Sequence, residues 1–316
     1  MFSFTAPEVT QVTHLALGAA DSVITVGDWK NGIKPQSYAS SYTRGSTLPG
    51  LAIARVLSGG NTDVVHVDYC PDNTTCIANA LASNAAGEPL LGGRFKGTIN
   101  GFAFDGGTIT AGSDDDAYLI KLDALLNPQW LVAFGGNGTQ EVRAIAAVPQ
   151  TNDFVVAGIF SGSFTAPGEP PVGAVDQGSD MFVMRIGASG KVIWAKTFGG
   201  GGDDVVRGIA VDRDANVFLT GDFHGPNLSF GGDALVNADI IGKGTRDIFL
   251  AWLDGSGNYV ASSAFGSSGD ESPVSIGVDG AGNILLAGSF DEAIDFGAGK
   301  VRGSGAMNMF VARLAR

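Results

Sequence analysis

The chain has 316 residues, 48 of them glycine, and its net charge of −13, from 32 acidic against 19 basic residues, excludes the basic footprint that nucleic acid or an anionic membrane surface requires. No apolar run approaches the roughly 20 residues of a spanning helix, so membrane insertion is not expected, and the opening segment FSFTAPEVTQ lacks the basic and apolar pattern of a signal segment. With 16% charged residues and branched and aromatic residues scattered evenly, the composition predicts many short strands joined by tight turns and almost no helix.

Taken in chain order, the predicted elements are copies of one unit. FSFTAP reads as a strand detached from its own unit, and THLAL follows as the first strand of the next. SVITVGDW (22–29) and LAIARV (51–56) continue the first copy. EPLLGGRF (88–95) and YLIKL (118–122) mark the second copy, and DFVVAGIF (153–160) and FVMRI (182–186) the third. The fourth is the most regular: VRGIAVD as strand a, NVFLTGDF as b, DIFLAWL as c and YVASSAFG as d, separated by turns rich in Gly, Asn and Asp. NILLAGSF (283–290) and FVARL (310–314) close the series. The glycine near the end of each strand b, at Gly27, Gly93, Gly158, Gly221 and Gly288, recurs at steps of 66, 65, 63 and 67 residues. A fixed period of this kind is the mark of a repeat architecture.

Four strands per unit predict an all-β, five-bladed β-propeller, a single domain with repeats at approximately 7–63, 64–137, 138–201, 202–268 and 269–316 plus 1–6. The chain stops on a strand c and starts on a strand d, so the N-terminal strand is expected to complete the C-terminal blade and close the ring, leaving no long sheet edge. The glycine of strand b is expected to permit close backbone approach or a bulge, and the aromatic two residues later to fill the gap between blades.

The stretches WAKTFGG (194–200), GDD, GIAVD, NVFLTGDF, FGG and DIF resemble the bacterial SBBP-type beta-propeller repeat. The resemblance is clearest from Trp130 onward and weakest in the first unit. It implies a secreted or surface-attached bacterial protein and brings no catalytic motif to transfer.

Function is expected on the side of the ring from which the d-to-a and b-to-c connections emerge, because the b-to-c segments run to about twenty residues while the opposite turns are tight. Acidic residues follow the glycine-rich turns: Asp63, the pair Asp203 and Asp204, and Asp270 with Glu271. Such carboxylates satisfy backbone N–H groups in turns, take a hard cation such as calcium, or serve as the acid and base of glycoside chemistry. Apart from calcium no cofactor is expected, and no zinc ligand set can be assembled from two cysteines and three scattered histidines. Asp116, Asp180, Asp247 and Asn308 form a second column that reads as structural, and a basic column, Arg55, Lys121, Arg185 and Arg313, reads as a polar strand face.

The first long segment holds Trp29, Tyr38 and Tyr42 among Lys30, Lys34 and Arg44, an aromatic and basic cluster suited to sugar rings or a protein surface. His66 and His224 are further loop candidates. Cys70 and Cys76, in DYCPDNTTC, suit a local disulfide of an oxidising compartment, with two separate thiols as the other reading. These observations favour a binding or adhesion module, outside the cell, that recognises a glycan or protein through the long-segment face. A carbohydrate hydrolase or lyase using Asp63, Asp204 and Glu271, and a structural part of an extracellular assembly, are the alternatives.

Overall fold

The computed structural model describes residues 9–18, 22–29, 50–57, 62–67, 75–99, 108–174, 178–238, 244–305 and 307–315. They form five antiparallel blades in series. Blade 1 is β1 (Val9–Leu17), β2 (Val23–Trp29), β3 (Gly50–Val56) and β4 (Thr62–Val67). Blade 2 begins with β5 (Thr75–Ser83) and β6 (Pro89–Lys96), then a small hairpin of β7 (Thr98–Ile99) and β8 (Ile109–Thr110), and ends with β9 (Asp116–Leu122) and β10 (Pro128–Phe134). Blade 3 repeats the plan with β11 (Gln140–Ala147), β12 (Phe154–Phe160), the hairpin β13 (Ser163–Phe164) and β14 (Val172–Gly173), β15 (Asp180–Ile186) and β16 (Val192–Phe198). Blade 4 has β17 (Asp204–Val211), β18 (Val217–Phe223), the hairpin β19 (Pro226–Leu228) and β20 (Leu235–Val236), β21 (Asp247–Leu253) and β22 (Tyr259–Phe265). Blade 5 has β23 (Glu271–Val278), β24 (Ile284–Phe290), the hairpin β25 (Ala293–Ile294) and β26 (Val301–Arg302), and β27 (Asn308–Leu314).

The blades order as a, b, c, d in sequence, except that blade 5 has three strands and its β27 pairs only with β24 among the described residues. Consecutive a strands lie side by side in the order β1, β5, β11, β17, β23. The segment expected to supply the missing strand, residues 1–6, lies outside the described residues.

Blades 2 to 4 bury both faces against their neighbours, which explains why their strands b and c read as continuous apolar runs rather than alternating ones. Ile24, Val26 and Ile53 of blade 1 pack with Leu91, Phe95 and Tyr118 of blade 2. Leu90 and Leu119 on the other face of blade 2 meet Phe154, Val156 and Phe182 of blade 3. Val155, Ala157 and Val183 of blade 3 meet Leu219, Val217 and Phe249 of blade 4 in the same way. The b-to-c segments of blades 2 to 5 are not free loops throughout: their hairpins contribute Ile99, Phe164, Leu228 and Ile294 to the buried core.

The strand b glycine sits where strand a bulges. Ala78, Val142, Val206 and Pro273 pair with Gly93, Gly158, Gly221 and Gly288, and the register shifts immediately after each of them. A Cβ on those glycines would overlap the carbonyl oxygens of Ile77, Glu141, Val205 and Ser272. From strand c, Tyr118, Phe182, Phe249 and Phe310 stand opposite the same glycines.

The tight turns share a side-chain device. Asp123, Asp212, Asp254 and Asp279 each accept the backbone N–H groups of the residues two and four further on. The asparagine four residues on, Asn127, Asn216, Asn258 or Asn283, returns its amide to the same carboxylate. This is the Asx chemistry that lets a strand reverse without leaving buried donors unpaired. Three members of the basic column pair across their own blade, Lys121 with Glu88 at 3.0 Å, Arg185 with Asp153 at 2.6 Å and Arg313 with Asp279 at 3.1 Å, while Arg55 donates to Ala124 O of blade 2. In blade 4 Trp252 takes that place and packs on Phe218.

Candidate functional site

The bulge of strand a does more than bend the strand. The extra residue has no partner in strand b and its side chain is released from the pleat, which is how bulges re-aim side chains beside binding sites. In blades 2 to 5 the extra residues are Asn79, Arg143, Arg207 and Val274, and blade 1 shifts register between Val12 and His14. All four, with His14, line one cavity of about 370 Å³. Because each a strand contributes, the cavity lies on the axis of the ring. Its lining residues sit about midway along the a strands. Its volume falls in the range of small-ligand sites.

Two polar networks surround it. Glu141 accepts the Asn79 amide at 2.6 Å, pairs with Nη2 of Arg143 at 3.1 Å and lies 4.0 Å from Nε of Arg94, whose Nη1 binds Asp115. Asp222 is buried on β18 and accepts Nε and Nη2 of Arg207, the latter at 3.3 Å, with Nη1 of Arg246 at 3.8 Å and the Ser272 hydroxyl at 3.5 Å. The Nε–H of Arg143 is buried with no acceptor. Burial pushes the His14 imidazole below its ordinary value, and a hydrogen bond to the Asn79 backbone works against that shift.

The acidic residues expected after the glycine-rich turns occupy a different register from one another. Asp204 and Glu271 open their a strands and are buried. Each closes its own turn: Asp204 Oδ2 accepts Gly200 N–H at 2.7 Å, and Glu271 accepts the Ser267 N–H at 3.0 Å and hydroxyl at 2.7 Å. Blade 3 fills the same position with Gln140, whose amide donates to the carbonyls of Asn137 and Ser163. Burial pushes the Glu271 carboxyl up to about 7, opposed by the two Ser267 bonds and reinforced by Asp247 and Asp270.

Asp203 and Asp270 are staples between blades. Asp203 accepts Ser179 N–H at 3.0 Å while Asp204 N–H donates to Ser179 O at 2.7 Å; Asp270, Arg246 and Glu271 repeat the pattern at 3.0 and 2.9 Å. Asp63 is not part of this set. It follows the c-to-d turn, at the start of β4, which pairs with β3. The glycine-rich run SGGNT suggested a d-to-a turn, but the real d-to-a connection of blade 1 falls after Val67.

His66 lies on the backbone of β4 opposite Ile53, and Trp29 ends β2 opposite Gly50. His224 follows β18, half-buried, and its backbone N–H donates to Asp203 O at 2.9 Å. Tyr38, Tyr42 and Cys70 lie outside the described residues; Cys76 is buried in β5 opposite Phe95. Asp116, Asp180 and Asp247 press their carboxylates against Gly135, Gly199 and Gly266, leaving no room for a Cβ there. That contact is why a glycine follows the last residue of β10, β16 and β22. Among the described residues no group of three His, Cys, Asp or Glu side chains is arranged to hold a metal ion.

The unit at 193–222 contains every one of these devices: a Trp194 indole donating to Gly255 O of the next blade at 3.1 Å, Gly199 against Asp180, the Asp203 and Asp204 pair, the Arg207 bulge and Gly221. Residues 193–222 match the SBBP beta-propeller repeat family. The SBBP signature is thus a record of how one blade is tied to the next. None of the curated proteins matches this chain. Among solved structures, the fold is similar to that of a mutant of NanB sialidase from Streptococcus pneumoniae, with a TM-score of 0.51 and 8% identity over 92% of this chain and 60% of that one. At that identity the likeness shows the fold alone, and the chain spans about three fifths of the sialidase chain.

Proposed function

We propose that this propeller is a non-catalytic recognition module that takes a saccharide end into its axial cavity, and that it works outside the cell. The observation that carries the reading is the set of bulges: blades of one design present Asn79, Arg143, Arg207 and Val274, together with His14, to one sugar-sized cavity, so the repeat is preserved where it packs and varied where it faces the axis. A hydrolase reading is less well supported. Glycoside cleavage needs two carboxyl groups facing the bond, roughly 5–10 Å apart. Asp204 and Glu271 are bonded into their own turns, and Glu141 and Asp222 are bonded to arginines.

The test is a binding screen against saccharides and polysaccharides, with and without calcium, on the full chain, on Val274→Trp, which narrows the cavity, and on the triple alanine variant of Trp29, Tyr38 and Tyr42. Binding lost in Val274→Trp and kept in the triple variant is the expected result. Loss in the triple variant alone moves the site to the first long segment. Absence of saccharide binding in every case overturns the reading and directs the search to a protein partner.

Ring closure belongs to the same proposal. Met309 and Val311 on β27 are 88% and 85% exposed, and Leu15 and Leu17 on β1 are 65% and 80% exposed. The residues equivalent to Met309 and Val311 in blade 3, Met181 and Val183, are 1% exposed. In a closed ring these two bare faces cover one another, with residues 1–6 as the outer strand beside β27.

A further inference from the structure

We infer that the ligand of the axial cavity carries an anionic group, a carboxylate or a sulfate or phosphate oxyanion, and that Arg143 and Arg207 hold it. The inference rests on the proposed recognition role and adds to it the charge of the ligand.

Arg143 and Arg207 occupy the same bulge position on neighbouring blades, so the topology sets them beside each other at the axis. Each keeps donors in reserve. Asp222 accepts through Nε and Nη2 of Arg207, which fixes the plane of the guanidinium and leaves both N–H groups of Nη1 unassigned by that pair. Glu141 engages Nη2 of Arg143 and leaves the N–H groups of Nη1 unassigned by that pair. A planar fork with spare N–H groups is the arrangement that reads carboxylate and oxyanion groups bidentately.

The charge balance points the same way. Among the described residues three carboxylates, Asp115, Glu141 and Asp222, are linked to four guanidinium groups, those of Arg94, Arg143, Arg207 and Arg246, of which Arg143 and Arg207 line the cavity. That set carries one positive charge in excess, on a chain whose net charge is −13. Folding does not require it. Blade 5 places Val274 at the equivalent position, 72% exposed, and blade 2 places Asn79 there. A buried or half-buried cation is costly unless something uses it, and in a narrow opening of low dielectric its field is focused on whatever enters.

The experiment is calorimetric titration of the full chain with glucuronate, glucose, sulfate and inorganic phosphate, on the unaltered protein and on Arg143→Gln, Val274→Glu and Val274→Lys. Arg143→Gln is tolerated because Glu141 keeps Asn79 and Arg94 as partners. Val274→Glu brings a carboxylate into the cavity from an exposed position and breaks no existing pair, so it tests the idea even if Arg143→Gln folds poorly. At least one anion is expected to bind more tightly than glucose, by about tenfold or more. Its affinity should fall about tenfold in Arg143→Gln and Val274→Glu and hold or rise in Val274→Lys. The tightest of the three anions identifies the group. No binding of any anion, or anion binding unaltered in both Arg143→Gln and Val274→Glu, overturns the inference. Neutral saccharide binding that Val274→Trp abolishes would then leave the recognition role standing, whereas loss of both removes the two together.

Discussion

Glu271 illustrates how a residue that attracts a catalytic reading serves the fold. Its carboxyl is buried at the mouth of strand β23, and burial holds it near pH 7. An unfolded chain ionises this group near its ordinary value of about 4.3, and the folded protein does so only near 7. Between those values folding takes up a proton, so the contribution of Glu271 to stability is full below the lower value and is lost as pH rises toward 7, by about 1.4 kcal/mol per pH unit and about 4 kcal/mol across the window. Glu271→Gln should flatten that part of the profile and make the variant the more stable protein above pH 7, as Gln140 already occupies the same site in blade 3. Urea unfolding of both proteins from pH 4.5 to 8 measures it, and parallel profiles would show that Glu271 is not the titrating group. That Asp204 and Glu271 follow glycine-rich turns was legible in the sequence. That they face their own turns was not, because a cap and a catalytic acid use the same side chain and only the hydrogen-bond partner separates them.

At the level of the strand, the bulge and the glycine opposite it are one unit. Gly221 lies under Val205 O and the Phe249 ring, and a methyl group there would have to displace both. Gly221→Ala is therefore expected to cost about 3 kcal/mol or more, by overpacking and by straightening the bulge. The denaturation midpoint checks it, and a change within about 0.5 kcal/mol would show that the backbone can give way. The recurring glycine could be read from the sequence, with the bulge as one of two explanations for it. The identity of the bulged residue could not. Asn79, Arg143, Arg207 and Val274 become a column only when aligned on the strand b glycine and counted two against one across the pair, and within strand a Arg143 and Arg207 look like ordinary outward-facing charges. The b-to-c segments stand out in the sequence because they are long where the opposite turns are tight, yet their hairpins place Phe164, Leu228 and Ile294 in the core.

For the whole molecule, the blade count was legible because a spacing of 63 to 67 residues recurs, and the local ties between blades explain the repetition: a staple such as Asp203 to Ser179 and a latch such as Trp130 donating to Ala188 O at 2.8 Å work only between copies in register. The closure proposed above would be a different kind of contact, since it would join segments from opposite ends of the chain. Deleting residues 1–6 should lower the unfolding midpoint by several degrees, as the loss of one outer strand from one blade would. It should also promote association through β27, whose free edge and exposed Met309 and Val311 invite a second chain. Thermal unfolding with light scattering reports both, and a deletion variant as stable and as monodisperse as the full chain would show that the ring does not depend on that segment. The bulged positions carry one more implication. The neighbours of Val274 pack, but its own side chain is exposed, so it could become another residue by a single codon change with little penalty to folding. A lineage that keeps its blades and varies only these few positions can move from one ligand to another by small steps, with no remodelling of loops.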